Sequence, residues 1–202
     1  MRGTAPHAPG PAGPPDVVGI VLAAGAGTRF GMPKALVRDD DGTPWLELAC
    51  RALREGGCSD VVVVLGARAD EARVLVPADA RPVVAAGWSD GVAASLRAGL
   101  AEAGRTGAVA AAVTLVDLPG LRPDAVRRVL GTLTEQAARG TLARATYAGD
   151  PGHPVLVGRA HWGPLADAVH GDTGAGPYLR EHGVRAVDCT DLGGGTDVDH
   201  RP

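Results

Sequence analysis

Three apolar runs in this chain show no alternation of polar and apolar residues: Val17 to Leu22, Val61 to Leu65, and residues 108–116. Successive side chains of a strand point to opposite faces, so a strand with one face in water alternates along its length. A strand that is apolar throughout is covered on both faces, as in a parallel sheet packed between layers of helices. Aromatic residues make up only 3% of the chain, so Val, Leu and Ala must fill that interior.

Helical patterns separate the runs. Thr43-Pro44 opens one helix, with Thr as cap and Pro in the first turn, through Trp45, Leu48, Ala49, Ala52 and Leu53 to a stop at Gly56-Gly57. Residues 81–86 form a further strand, and residues 89–104 a helix with Val92, Leu96 and Leu100 on one stripe. After Pro119 a helix spans about Pro123 to Ala138, followed by a strand from Leu142 to Tyr147. The remainder is less regular: "GDPGHPVLV", a helix near His161 to Val169, "GDTGAGPYLREHG", and the strand "VRAVDC". This order predicts an α/β fold, a three-layer α/β/α sandwich around a Rossmann-like, mostly parallel sheet, with ligands at the carboxyl ends of the strands. Residues 16–202 suffice for a single domain. Residues 1–15 are rich in Pro, Gly and Ala and lack the apolar core of a signal peptide, so they are expected to be a disordered leader.

Several functions are excluded by composition. A net charge of -3 offers no electrostatic case for long nucleic acids. No apolar run reaches the ~20 residues of a membrane helix. Cys50, Cys58 and Cys189 fit neither a CxxC pair nor a disulfide ladder, which predicts reduced, packed thiols in a cytoplasmic protein. Trp88, His161 and Trp162 read as packing residues.

The first apolar run ends in a loop with two possible chemistries. Gly25, Gly27 and Gly31 follow a strand, and Asp39-Asp40-Asp41 lies about twenty residues past its end, an outline shared with dinucleotide-binding folds. Such folds need a long helix directly after the last glycine. Pro33 stands in its way, because proline lacks an amide and disfavours helix just before it. The Asp run, next to Gly42, looks like a solvated turn. A triphosphate uses every unusual residue instead. Leu22 leads into Ala23, Ala24 and Gly25, which let the backbone approach a base and phosphates. The amides around Gly27 can form an anion nest, Arg29 adds a forked cation and Lys34 a point charge. Phosphates call for a metal, and Asp117 ends an apolar strand at the same sheet edge. Mg²⁺ takes one or two carboxylates besides phosphate and water. Asp197 and Asp199 alternate in a late loop and either add a second ligand or belong to an exposed tail.

These residues resemble a known family. "LAAGAGTRFGMPKAL" is similar to the LAAGxGxRMGxPKxL signature of the MobA/MocA-like NTP transferases, which have the nucleotide-diphospho-sugar transferase type of fold. "GWSDGVAASLRAGL", "VDLPGL", "GHPVL", "GDTGAGPYLR" and "DVDH" resemble its later landmarks in order, over about residues 17 to 200. The resemblance implies Mg²⁺-dependent transfer of a nucleoside monophosphate from an NTP to a phosphorylated acceptor, with release of pyrophosphate. Ala23, Ala24, Gly25 and Ser95 would face base and ribose, Arg29 and Lys34 the phosphates, and Asp117 the metal. His153 would contact substrate without transferring a proton. Ala24 favours CTP, since cytidylyltransferases of the family tend to carry LAAG and guanylyltransferases LAGG. The implied acceptor is the phosphate of molybdopterin, with a molybdoenzyme as protein partner. Guanylyl transfer, a sugar phosphate, phospholactate or polyol phosphate acceptor, and a non-catalytic accessory role are the alternatives. Thr173 and Gly176 replace basic residues usual in the family, leaving Arg180 as the basic residue near the acceptor. The family's DIDTPEDL ending is cut short, with His200 in place of Thr.

Overall fold

A computed structural model describes residues 14–131 and 133–199. Residues 1–13 of the expected leader, and His200, lie outside the described residues. Seven strands form one sheet: β1 (Val17–Ala23), β2 (Asp60–Leu65), β3 (Arg81–Val84), β4 (Ala110–Leu115), β5 (Leu142–Tyr147), β6 (Asp150–Gly158) and β7 (Arg185–Asp188). Their spatial order is β3-β2-β1-β4-β6-β5-β7. Every neighbouring pair is parallel except the two that β6 makes, with β4 and with β5. The unalternated runs thus become the buried centre of a mostly parallel sheet.

Each central strand divides its side chains between two cores. Val17 and Val21 of β1 join Val61 and Val63 under helices α1 (Trp45–Glu55) and α4 (Pro123–Leu130). Val18 and Ile20 join Val62 and Val64 under α3 (Val92–Ala103) and α6 (Trp162–Ala168). Short helices α2 (Ala69–Arg73), α5 (Glu135–Arg139) and α7 (Gly176–Glu181) complete the two outer layers. The layers are those of the expected sandwich. Cys50, Cys58 and Cys189 are free and buried, and burial pushes the Cys50 and Cys58 thiols up to about 12.

Three local expectations are corrected. The helix over 123–138 is two helices, α4 and α5, because Gly131 adopts φ +62° and Thr134 caps a new start by accepting from the Ala137 amide. Thr43 does not cap α1: its hydroxyl donates to Asp41, and the helix begins one residue later than Pro44. All of "GDPGHPVLV" after its first residue lies in the nine-residue strand β6, Asp150–Gly158. Its β4 ladder runs from Val155 to Gly158, so Pro151 and Pro154 lie outside the stretch where β4 would need their amides.

Chain order reverses between β1 and β4: from β1 the chain builds outward through β2 and β3, then returns to place β4 on the other side. Loops diverge there, and the carboxyl ends of β1 and β4 open a crevice.

Candidate active site at the switch point

The loop after β1 is closed on itself. Gly31 donates its amide to the Gly27 carbonyl at 2.8 Å, and Gly27 takes φ +62°. A Cβ on Gly27 would lie 1.9 Å from the Met32 carbonyl oxygen, so only glycine permits this turn. Pro33 then starts a single 3-10 turn, Lys34–Leu36, and no long helix follows before α1. The Asp39–Asp41 segment is a turn, its carboxylates accepting from Thr43. Neither feature of a dinucleotide fingerprint is present.

That single turn sends Lys34 across the crevice. Its Nζ donates to Asp117 Oδ2 at 2.8 Å and to Asp199 Oδ1 at 2.9 Å. Arg29, extended into solvent, reaches Asp199 Oδ2 at 3.6 Å. Burial pulls the Lys34 ammonium down, but its hydrogen bonds to Asp117 and Asp199 outweigh this and its pKa is raised. Asp117, Asp197 and Asp199 each bring a carboxylate oxygen within 4.8 Å of the others. The Asp117 Oδ1 atom is buried with no hydrogen-bond partner among the described residues. A buried carboxylate oxygen without a donor, inside an all-oxygen cluster, fits a hard divalent cation. The Val198 amide donates to the Asp117 carbonyl at 3.0 Å and so binds the late loop to the end of β4.

A cavity of about 700 Å³ joins these groups. Leu22, Ala23, Ala24, Gly25, Gly27 and Ser95 line it, together with Arg29, Lys34 and the three aspartates. Every candidate site residue read from the sequence except His153 therefore meets in one place. Trp88, expected to be a packing residue, lines it too, as does Asp172. At its far wall, Gly91 holds φ +108° where α3 begins, and a Cβ there would collide with the Gly171 backbone.

His153 faces a second cavity, of about 270 Å³, that shares Leu22, Val92, Leu115 and Asp172 with the first. Arg144, from the middle of β5, lines this second cavity. Sequence reasoning missed it, although "LARATY" puts a charged residue at a core-facing position between Leu142 and Thr146. Burial, with Arg144 adding and Asp197 opposing, pushes the His153 imidazole down to about 4. The imidazole is thus neutral at pH 7. Because the folded pKa lies below the unfolded one, the unfolded chain binds more protons between about pH 6.5 and 4. Stability is expected to fall across that window as pH drops, by about 3 kcal/mol from this residue. His153→Gln should flatten that part of a stability–pH curve measured by urea unfolding.

Fold and site together define a nucleotidyltransferase. Residues 19–187 match the model of the MobA-like NTP transferase domain, and the chain belongs to that family. It is 37% identical to a nicotine blue oxidoreductase of Paenarthrobacter nicotinovorans, over 92% of this chain and 93% of that one. It is 30% identical to a probable molybdenum cofactor guanylyltransferase of Rhodopirellula baltica, over 70% of this chain and 65% of the relative. Among solved structures it is similar to Rv0371c of Mycobacterium tuberculosis H37Rv, with a TM-score of 0.74 and 31% identity over 93% of this chain and 95% of that one. Rv0371c has also been solved in complex with manganese.

Proposed function

We propose that this protein transfers a nucleoside monophosphate, CMP by preference, from an Mg²⁺-bound NTP to a phosphorylated small molecule, releasing pyrophosphate. The acceptor favoured by the family is the phosphate of molybdopterin. The observation that carries the proposal is Lys34 bridging Asp117 and Asp199 across the crevice, beside a glycine loop that also brings Arg29 to Asp199. Asp117, with Asp197 and Asp199, would hold the Mg²⁺, which when bound supplies a Lewis acid for the phosphate oxygens. The remaining work belongs to the chain. The small residues Ala23 to Gly25 admit the nucleotide, and Ser95 faces it from α3. Lys34 and Arg29 neutralise the charge that gathers on the leaving pyrophosphate as the acceptor phosphate attacks in line. No protein nucleophile is needed, and neutral His153 orients rather than exchanges protons.

Incubation of each NTP with Mg²⁺ and molybdopterin, with pyrophosphate as the readout, tests this. Turnover with sugar phosphates and none with the pterin sinks the pterin assignment. Bound Mg²⁺–NTP with no turnover on any acceptor supports an accessory role. Base choice has its own test. Ala24 lines the cavity, but its methyl packs toward Gly66, so it acts on the base mainly by fixing the backbone. Ala24→Gly is expected to lower the CTP/GTP preference by about tenfold, near the lower limit for one methyl group. An unchanged ratio removes Ala24 as the selector.

A second reading is favoured by the relative named nicotine blue oxidoreductase: reduction of nicotine blue in the same crevice. The absence of a long helix directly after Gly31 favours the triphosphate. Oxidation of NADH to NAD+ by the purified protein, with matching reduction of added nicotine blue, would decide for reduction.

A further inference from the structure

We propose that the second cavity seats a ligand with a compact, flat, apolar body that presents an anionic oxygen group to Arg144. Calling this ligand the acceptor rests on the transfer proposed above; its chemistry rests on the cavity alone.

The walls come from five elements that converge behind Leu22. Leu96 of α3, Val113 of β4, Val155 and Val157 of β6, Leu165 of α6 and Leu179 of α7 all face inward. Such a surface rewards apolar area and leaves hydroxyl groups without partners. Gly174, Ala175 and Gly176 make one side of the cavity from backbone and a single methyl, which lets a ring lie close against it. A sugar or polyol would lose most of its hydrogen bonds on entry, whereas a fused aromatic ring would not.

Arg144 is the one cation among these lining residues, beside the neutral His153 and the exposed Asp172. It is half-buried, and its hydrogen bond is from Nε to the Gly152 carbonyl at 3.2 Å. No carboxylate of the described residues forms an ion pair with it. Burial, reinforced by the nearby Arg180 guanidinium, lowers its pKa, so both a dry environment and a like charge act on this group. Arg180 stands just beyond Gly176, its Nη1 3.4 Å from where a Cβ on Gly176 would be. Asp172 also lines the cavity and is exposed, without a bond to Arg144. A half-buried guanidinium with no counter-charge is a fork for a carboxylate or phosphate. Arg144, reaching in from β5, thus supplies a cation at a site that accepts one anionic group and little other polarity.

Calorimetric titration of the full chain with four probes tests this: naphthalene carboxylate, naphthyl phosphate, naphthalene methanol and glycerol phosphate. At least one anionic naphthalene should bind about tenfold more tightly than both the alcohol and glycerol phosphate. The tighter of the two identifies the group as carboxylate or phosphate. Arg144→Gln should weaken that probe by about tenfold and leave naphthalene methanol unchanged. Val155→Phe, which fills the cavity, should remove all the naphthalenes. Mg²⁺–CTP binding to wild type and Arg144→Gln is measured alongside. Its absence in wild type would overturn the transfer proposal and leave the probe results to judge the cavity. Glycerol phosphate binding as tightly as naphthyl phosphate would overturn the apolar assignment. Unchanged affinity of the anionic naphthalenes for Arg144→Gln would overturn the role of the guanidinium.

Discussion

Asp117→Ala is expected to lower turnover by about a hundredfold or more while the protein stays folded. The two carboxylate oxygens have different surroundings: Oδ2 accepts from Lys34, and Oδ1 is buried without a donor. Leaving a carboxylate oxygen unpaired is unfavourable in itself, and a cation at the cluster would remove that penalty. It is the Asp117 carbonyl that holds Val198, and this bond survives substitution. Asp117→Asn keeps the shape and removes the charge, so it should be as inactive as the alanine variant, with a similar melting temperature. Both variants should also bind Mn²⁺ more weakly by calorimetry, a readout independent of turnover. Rates close to wild type in either would refute the role of Asp117.

The centre of this fold was legible because its signal is local. Val61 to Leu65 and residues 108–116 show their burial on both faces in five to nine consecutive residues, whatever the rest of the chain does. The loop from Gly25 to Lys34 was legible for the same reason. What was missed depends on distant partners. The stretch "GDPGHPVLV", with its two prolines, shows no regular pattern until β4 is seen to pair only from Val155 onward. The split between α4 and α5 turns on the backbone of Gly131, whose positive φ no spacing rule marks in advance. Arg144 was passed over because one charge inside a strand usually faces water. Here β5 has neighbours on both edges, and α6 and α7 fold over the face on which Arg144 lies. The second cavity exists only once those short helices are docked.

The same contrast bears on the two chemistries suggested by the relatives. A triphosphate site and a hydride-transfer site can share a switch-point crevice, since the sheet supplies the crevice in either case. They differ in what the crevice contains. Three clustered carboxylates, two of them bonded to Lys34, suit a metal-bound phosphate chain and have no evident task in moving a hydride.

Lys34→Ala is expected to give opposite results in two measurements. Turnover should fall by about a hundredfold or more, because the ammonium is placed where charge would gather on the leaving pyrophosphate. Affinity for Mn²⁺ in the absence of nucleotide should rise, by about tenfold, because the same ammonium neutralises Asp117 and Asp199 in the free protein. With side chains only 14% and 18% exposed, Lys34 and Asp117 interact with little screening by water. A metal entering without nucleotide must compete with that ion pair. A metal arriving with a triphosphate would not, since the phosphates offer Lys34 a new partner. Wild-type protein should therefore bind Mn²⁺ more tightly with a non-hydrolysable NTP than without it, and Lys34→Ala should lose most of that difference. Equal Mn²⁺ affinities for wild type and Lys34→Ala without nucleotide would show that the lysine does not guard the carboxylates. Unimpaired turnover would remove it from the phosphate site.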